Sequence, residues 1–80
     1  MALVHFPNDW RRHTGGAEHV NVAAPRVQEL YDALLQRFPG LGTDLEKAAV
    51  VIDGDIYNEA PYHKLEPGTE IHFVPRIAGG

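Results

Sequence analysis

The residues best suited to chemistry lie at the C-terminal end, where Gly79 and Gly80 close the chain. An α-carboxylate with an ordinary pKa of about 3.5 is ionised at neutral pH. It can attack the α-phosphate of ATP and form an acyl-adenylate, which sulfur or amine nucleophiles then open. Glycine has no Cβ, so its backbone can approach a reacting group closely. The pattern therefore indicates a terminus on which another protein acts.

The segment before the two glycines must present them. Arg76, Ile77 and Ala78 continue from the last apolar strand, and five extended residues span about 17 Å, enough to enter the active site of another protein. Arg76 offers a cation to an acidic groove on an activating enzyme, and plain solubility is the alternative. We expect residues 1–75 to form the folded domain and residues 76–80 a flexible tail.

Histidines are the next candidate group, with five in the chain. Strand alternation predicts that His5, His19 and His72 lie on one outer face of a sheet. Their spacing matches no zinc pattern, and no cysteine or clustered carboxylate completes a ligand set, so we predict no metal site. The alternative to a plain polar face is a partner face, for which the candidates are His5, His72, Phe73 and Val74.

Acidic and aromatic side chains give weaker signals. Asp53, Asp55 and Glu59 lie around an expected exposed turn, so we interpret them as solvated rather than as paired catalytic carboxylates. Trp10 indicates either an aromatic partner patch or the rim of a small core. The chain has no phosphate-binding glycine loop, and we expect no bound cofactor.

These groups need elements to position them, and the first half of the chain predicts two strands and a helix. Residues 2–6 and 17–22 alternate apolar and polar positions with period two. Pro25 suits the first position of a helix that Pro39 and Gly40 end. One stripe of that helix is apolar, at Val27, Leu30, Tyr31, Leu34 and Phe38.

The second half predicts three more strands. Thr43 and Glu46 have the spacing of a capping box for one short turn. Residues 48–53 form an apolar strand, Gly54 supplies a tight turn, and Pro67 with Gly68 sets up a type II turn before the strand 70–74. In that last strand we expect Ile71 and Phe73 to point inward. The order predicts an α+β fold, a small mixed sheet with one long helix across one face.

Composition narrows the class of protein. Eighty residues form one small domain, and 7 basic against 11 acidic residues give a net charge of −4, which argues against nucleic acid as a partner. The absence of cysteine excludes disulfides and thiolate chemistry. No window is long and apolar enough to span a membrane, and we expect a soluble cytoplasmic protein.

The chain resembles the MoaD/ThiS sulfur-carrier proteins, which have the ubiquitin-like β-grasp fold. The resemblance lies in Asp53 and Gly54, in residues 67–70, and in residues 73–80, while residues 11–16 look like those of CysO-type carriers. It implies adenylation of Gly80 by an E1-like enzyme that uses ATP and magnesium. It also implies a C-terminal thiocarboxylate that delivers sulfur to an acceptor synthase, in cysteine, molybdopterin, thiamin or other thio-metabolite synthesis.

Such a carrier is a protein cosubstrate or the small subunit of a sulfur-transferring complex, not an enzyme. Two alternatives stay open. The first is a ubiquitin-like modifier joined through Gly80 to lysines, with Lys47 and Lys64 as the internal acceptors. The second is a β-grasp interaction module in which the two terminal glycines are incidental.

Overall fold

The computed structural model describes residues 1–76, so the predicted reactive terminus, residues 77–80, lies outside the described residues. Residues 1–76 form two α-helices, two short 3-10 helices and one sheet. The α-helices are α1 (Val27–Arg37) and α2 (Gly42–Lys47), and the 3-10 helices are Asn8–His13 and Pro39–Leu41. The strands are β1 (Ala2–His5), β2 (His19–Val22), β3 (Ala48–Ile52), β4 (Asp55–Tyr57) and β5 (Glu70–Pro75).

The five strands form a mixed sheet in the order β2-β1-β5-β3-β4. β1 pairs parallel with β5, and the other neighbours are antiparallel. A parallel pair needs a long crossover, which the chain between β1 and β5 supplies. The expectation of an α+β fold, a small mixed sheet with one long helix across one face, is confirmed.

The core lies between the inner face of the sheet and α1. Val27, Leu30 and Leu34 of α1 are buried together with Val4 and Ile71 of the sheet. Burying a side chain of this size contributes about 1.5–3 kcal/mol. The predicted apolar stripe of the helix is therefore the surface that covers the sheet. No helix of residues 1–76 has the length and apolar character that a bilayer crossing requires.

The start of α1 corrects the sequence-based expectation. Pro25 does not occupy the first helical position, because the helix begins at Val27 after an extended Arg26. Arg26 forms an antiparallel bridge with Lys64, and the Leu65 N–H donates to the Pro25 carbonyl at 2.9 Å. This pairing with a segment distant in sequence holds Pro25 and Arg26 out of the helix.

Two further local predictions differ from the structure. Thr43 lies inside α2, whose N-cap is Leu41 with no side-chain cap, so the predicted capping box is wrong although the short helix exists. Between the first two strands, for which no element was predicted, Asn8–His13 forms a 3-10 helix. Its Trp10 is buried, with its ring 4.7 Å from that of Phe73, which confirms the core interpretation of this tryptophan.

The turn at residues 53–54 fixes the start of β5. Gly54 has a positive φ of 92°, as the predicted tight turn requires, and Asp53 also lies in the left-handed region at 47°. Asp53 Oδ1 accepts from the Glu70 N–H at 2.9 Å, and the Asp53 N–H donates to the Glu70 carbonyl at 3.0 Å. Asp53 therefore has a structural role.

Candidate functional site

The site is built around β5, the central strand, because this strand leads to the C-terminal residues. Its last residue, Pro75, lies opposite Ala48 of β3. The backbone N–H of Arg76 then donates to the Lys47 carbonyl at 3.3 Å. The path of the chain is thus tied to the sheet through Arg76. Ile77, Ala78, Gly79 and Gly80 lie outside the described residues, and their predicted roles stay predictions.

Arg76 lies beside a cavity of about 460 Å³ that α1, α2 and the segment after β4 enclose. Its Nη1 is 3.4 Å from Glu59 Oε1, an ion pair between partly exposed groups. Tyr31 also lines this cavity, and burial raises the pKa of its phenol while the positive charge of Arg76 partly offsets that rise. Arg76 is therefore held at the domain surface, with its cation next to a largely apolar depression.

A second, smaller cavity of about 290 Å³ adjoins the same end of β5. Trp10, Lys47 and Phe73 line it together with Pro75. The residues before the tail are thus bordered by two depressions, either of which a partner protein can fill.

The outer face of the sheet carries an aliphatic patch, which consists of Val51, Ile56 and Val74. Val51 pairs with Ile56 across β3 and β4. Val74 pairs with Ala49, which lies two residues before Val51 in β3 and therefore on the same face. The side chains of Val51, Ile56 and Val74 thus share one face of the sheet. Ile56 is 54% exposed although it is large and apolar. Val51 and Ile56 are not among the residues predicted from the sequence to form a site. Their signal is the alternation across the β3–β4 hairpin, with Ile56 set between Asp55 and Tyr57.

A second group on the outer face, the His–Glu cluster, consists of His5, Glu70 and His72. His5 Nε2 lies 2.9 Å from Glu70 Oε1. The rings of His5 and His72 stack with centroids 4.2 Å apart and an angle of 6° between their planes. The ring centroid of His19 lies 6.2 Å from that of His5. The expectation that these histidines lie on one outer face is confirmed. The premise that no carboxylate joins them is wrong, because Glu70 does.

The predicted partner face divides between the two sides of the sheet. His5, His72 and Val74 are at least partly exposed on the outer side. Phe73 is buried, stacks on Trp10 and lies 6.1 Å from the Tyr31 ring, so it belongs to the core and not to a surface shared with His72. Successive residues of a strand point to opposite faces, which makes this separation unavoidable.

Comparisons with known proteins agree with this fold. The sequence profile of the ThiS family matches residues 4–80. No curated protein sequence matches the chain. The remaining similarities are to solved structures.

The similar solved structures include three that cover nearly the whole chain, at identities that bear on the fold alone. A chain of the Amycolatopsis orientalis BexX/CysO complex has a TM-score of 0.84 and 22% identity, with 100% of both chains covered. Mycobacterium tuberculosis CysO has a TM-score of 0.83 and 15% identity, covering 96% of this chain and 100% of the other. Small archaeal modifier protein 1 of Methanosarcina acetivorans has a TM-score of 0.81 and 17% identity, covering 99% of this chain and 95% of the other.

Proposed function

Since the chain belongs to the ThiS family, we propose that it is a sulfur carrier whose working group is the carboxylate of Gly80. The observation that carries the proposal is a family match that extends to residue 80 and so includes Gly79 and Gly80. The chain is then a protein cosubstrate, and the bond-making enzyme is its partner.

The chemistry has two steps. A Gly80 carboxylate oxygen attacks the α-phosphorus of ATP. The bond between the α-phosphorus and the oxygen that bridges to the β-phosphate breaks, so pyrophosphate leaves and an acyl-adenylate forms. Hydrosulfide then attacks the acyl carbon, AMP leaves and a proton is released, which yields the thiocarboxylate. The activating enzyme, of the E1-like class, holds ATP and its magnesium ion. A sulfur-acceptor synthase takes up the sulfur afterwards.

The described residues supply the positioning that this chemistry needs. β5 is paired on both sides, so it gives the segment before the tail a fixed starting point. The aliphatic patch provides the apolar area that a protein partner can bury, and Val74 of this patch lies only two residues before Arg76. We propose that the activating enzyme docks on the patch and that its acidic groups meet Arg76.

The second candidate function is that of a protein modifier, in which a lysine amine instead of hydrosulfide attacks the acyl-adenylate. The similarity to small archaeal modifier protein 1, with a TM-score of 0.81, favours keeping it. The third is an interaction module whose partner binds the sheet and ignores the tail.

Intact-mass measurement tests these functions directly. The protein is incubated with ATP, magnesium, a cognate E1-like enzyme and sulfide, and we expect a gain of about 16 Da as oxygen is exchanged for sulfur. The control lacks Gly79 and Gly80, and it should gain nothing while it keeps its fold. Covalent attachment to lysines of other proteins would favour the modifier. If an enzyme of verified activity produces neither the gain in mass nor attachment to lysines, both the carrier and the modifier functions are rejected.

A further inference from the structure

The proposed carrier chemistry does not use the side chains of the His–Glu cluster. Among residues 1–76, His5, Glu70 and His72 are the one group of three histidine or acidic side chains whose potential ligand atoms all lie within 4.8 Å of one another. The cluster joins β1 and β5, whose parallel register pairs Leu3 with Glu70 and Val4 with Ile71. This register also places His5 beside His72.

The backbone beneath the cluster is held before any ligand arrives. His5 is in a strand that pairs with both β2 and β5, and Glu70 is held by its two hydrogen bonds to Asp53. Residues on the strands of a rigid sheet give a site of defined geometry. The side chains are only partly covered, with 32% of His5 and 57% of Glu70 exposed, so they keep the freedom to rotate around an ion.

The distances require a modest adjustment. A tetrahedral zinc ion with ligand bonds of about 2.0–2.1 Å holds its ligand atoms about 3.3 Å apart. The existing separation of His5 Nε2 and Glu70 Oε1, 2.9 Å, is already near this value. The His5 and His72 rings stack nearly parallel, and they need to tilt so that one nitrogen of each faces the ion. Because both are at the surface, this needs side-chain rotation alone.

The donor set selects the class of ion. Two imidazole nitrogens and one carboxylate oxygen suit divalent transition metals, whereas calcium and magnesium prefer sets of oxygen ligands. A set of two histidines and one glutamate with a further open position is a known arrangement for zinc in proteins. Here the open position faces solvent, where water or a side chain of a partner protein can complete the coordination.

We propose that His5, Glu70 and His72 form a binding site for a divalent transition-metal ion, with Zn²⁺ as the preferred physiological ion. The site lies on the outer face of the sheet, and its existence does not depend on the sulfur-carrier function. His19 is excluded from the ligand set, since its ring is 6.2 Å from that of His5 and tilted by 49°.

Isothermal titration with Zn²⁺ tests the proposal on the full chain without a purification tag. The sample is checked by intact mass to carry a C-terminal carboxylate, because a thiocarboxylate sulfur would itself bind zinc. We expect one ion per chain. His72→Ala and Glu70→Gln should each weaken binding by at least about tenfold.

The control is His19→Ala, which removes a histidine from the same outer face but not from the cluster. It should retain the affinity of the unmodified protein within about threefold. Equal weakening by His19→Ala, or unchanged binding by His72→Ala and Glu70→Gln, would overturn the assigned ligands. Failure to bind Zn²⁺ at all would reject the site.

Two further measurements guard against loss of folding and nonspecific binding. Thermal unfolding without metal should give the same midpoint for all variants, because these side chains lie outside the core. With Co²⁺ in place of Zn²⁺, visible absorption should report a low-coordinate site, which must vanish in His72→Ala. An octahedral, largely hydrated Co²⁺ spectrum would contradict the proposal. Loss of thiocarboxylate formation alone, with metal binding intact, would affect only the proposed carrier function.

Discussion

The inner and outer faces of β5 have opposite environments within one six-residue strand. Ile71 and Phe73 on the inner face are 0% and 5% exposed and pack in the core. Glu70, His72 and Val74 on the outer face carry polar contacts or an apolar surface that reaches solvent. Only the alternation of side-chain direction separates the two environments.

The difference teaches how so small a domain combines stability with recognition. The inner face supplies core packing, while the central position of β5 fixes the backbone from both sides. The outer face can then hold groups that add little to folding, because the strand does not depend on them. We expect changes on the inner face to alter stability, and changes on the outer face to alter binding and reactivity.

The largest expected effect is on the inner face. Phe73→Ala should lower the free energy of unfolding by about 3–5 kcal/mol, since it removes an aromatic ring packed on Trp10. The neighbouring His72→Ala on the outer face should change it by less than about 0.5 kcal/mol. Urea denaturation of both variants measures this difference. A similar loss of unfolding free energy in both variants would contradict the proposed difference between the two faces.

The aliphatic patch gives the next effect. Ile56→Asp should lower kcat/KM for adenylation by the cognate E1-like enzyme about 10–100-fold, because a charge would be buried against the partner. Stability should be nearly unchanged, since Ile56 is already exposed. Tyr62→Asp, at a residue 77% exposed and outside the patch, is the matched control. If both variants react at the normal rate, the enzyme does not dock on this face.

Arg76 gives a smaller effect that depends on salt. Arg76→Ala should lower kcat/KM for adenylation about 3–10-fold at low ionic strength, and the loss should shrink as salt screens the charge. Arg12→Ala removes an exposed cation elsewhere and should leave the rate unchanged. A rate that is the same in Arg76→Ala at every salt concentration would assign Arg76 to solubility alone.

The smallest effect concerns Tyr31, whose folded-state pKa is raised above 10.0 by burial. Above that pH the unfolded chain releases a proton that the folded chain retains, so this group makes stability fall as pH rises. Tyr31→Phe should make the alkaline decline shallower by at most about 1.4 kcal/mol per pH unit. Urea denaturation from about pH 9 to about pH 11 measures it. An unchanged slope would contradict the raised pKa.

Local patterns were sufficient to predict most of the fold. The period-two alternation of residues 2–6 and 70–74 gave the correct inward and outward residues of β1 and β5. The apolar stripe of α1 and the positive φ of Gly54 and Gly68 also agree with the structure. These features depend on residues near one another in sequence, so the sequence contains the information directly.

Where the predictions failed, contacts between distant segments compete with local preference. Pro25 pairs with the region of Leu65 instead of starting the helix. The prediction that Phe73 and His72 share a partner face is also wrong, because the period of the strand places them on opposite sides. That error was avoidable from the sequence.

The sequence by itself determined the alternating strands, the amphipathic helix and the terminal glycines, because each is a pattern of consecutive or regularly spaced residues. Only the tertiary structure decided that His5 meets Glu70, 65 residues away, and that Ile56 joins Val51 and Val74 in one exposed patch. The physical reason is that pairing and register between strands set these neighbours. No spacing along the chain specifies a parallel contact between its first strand and its last.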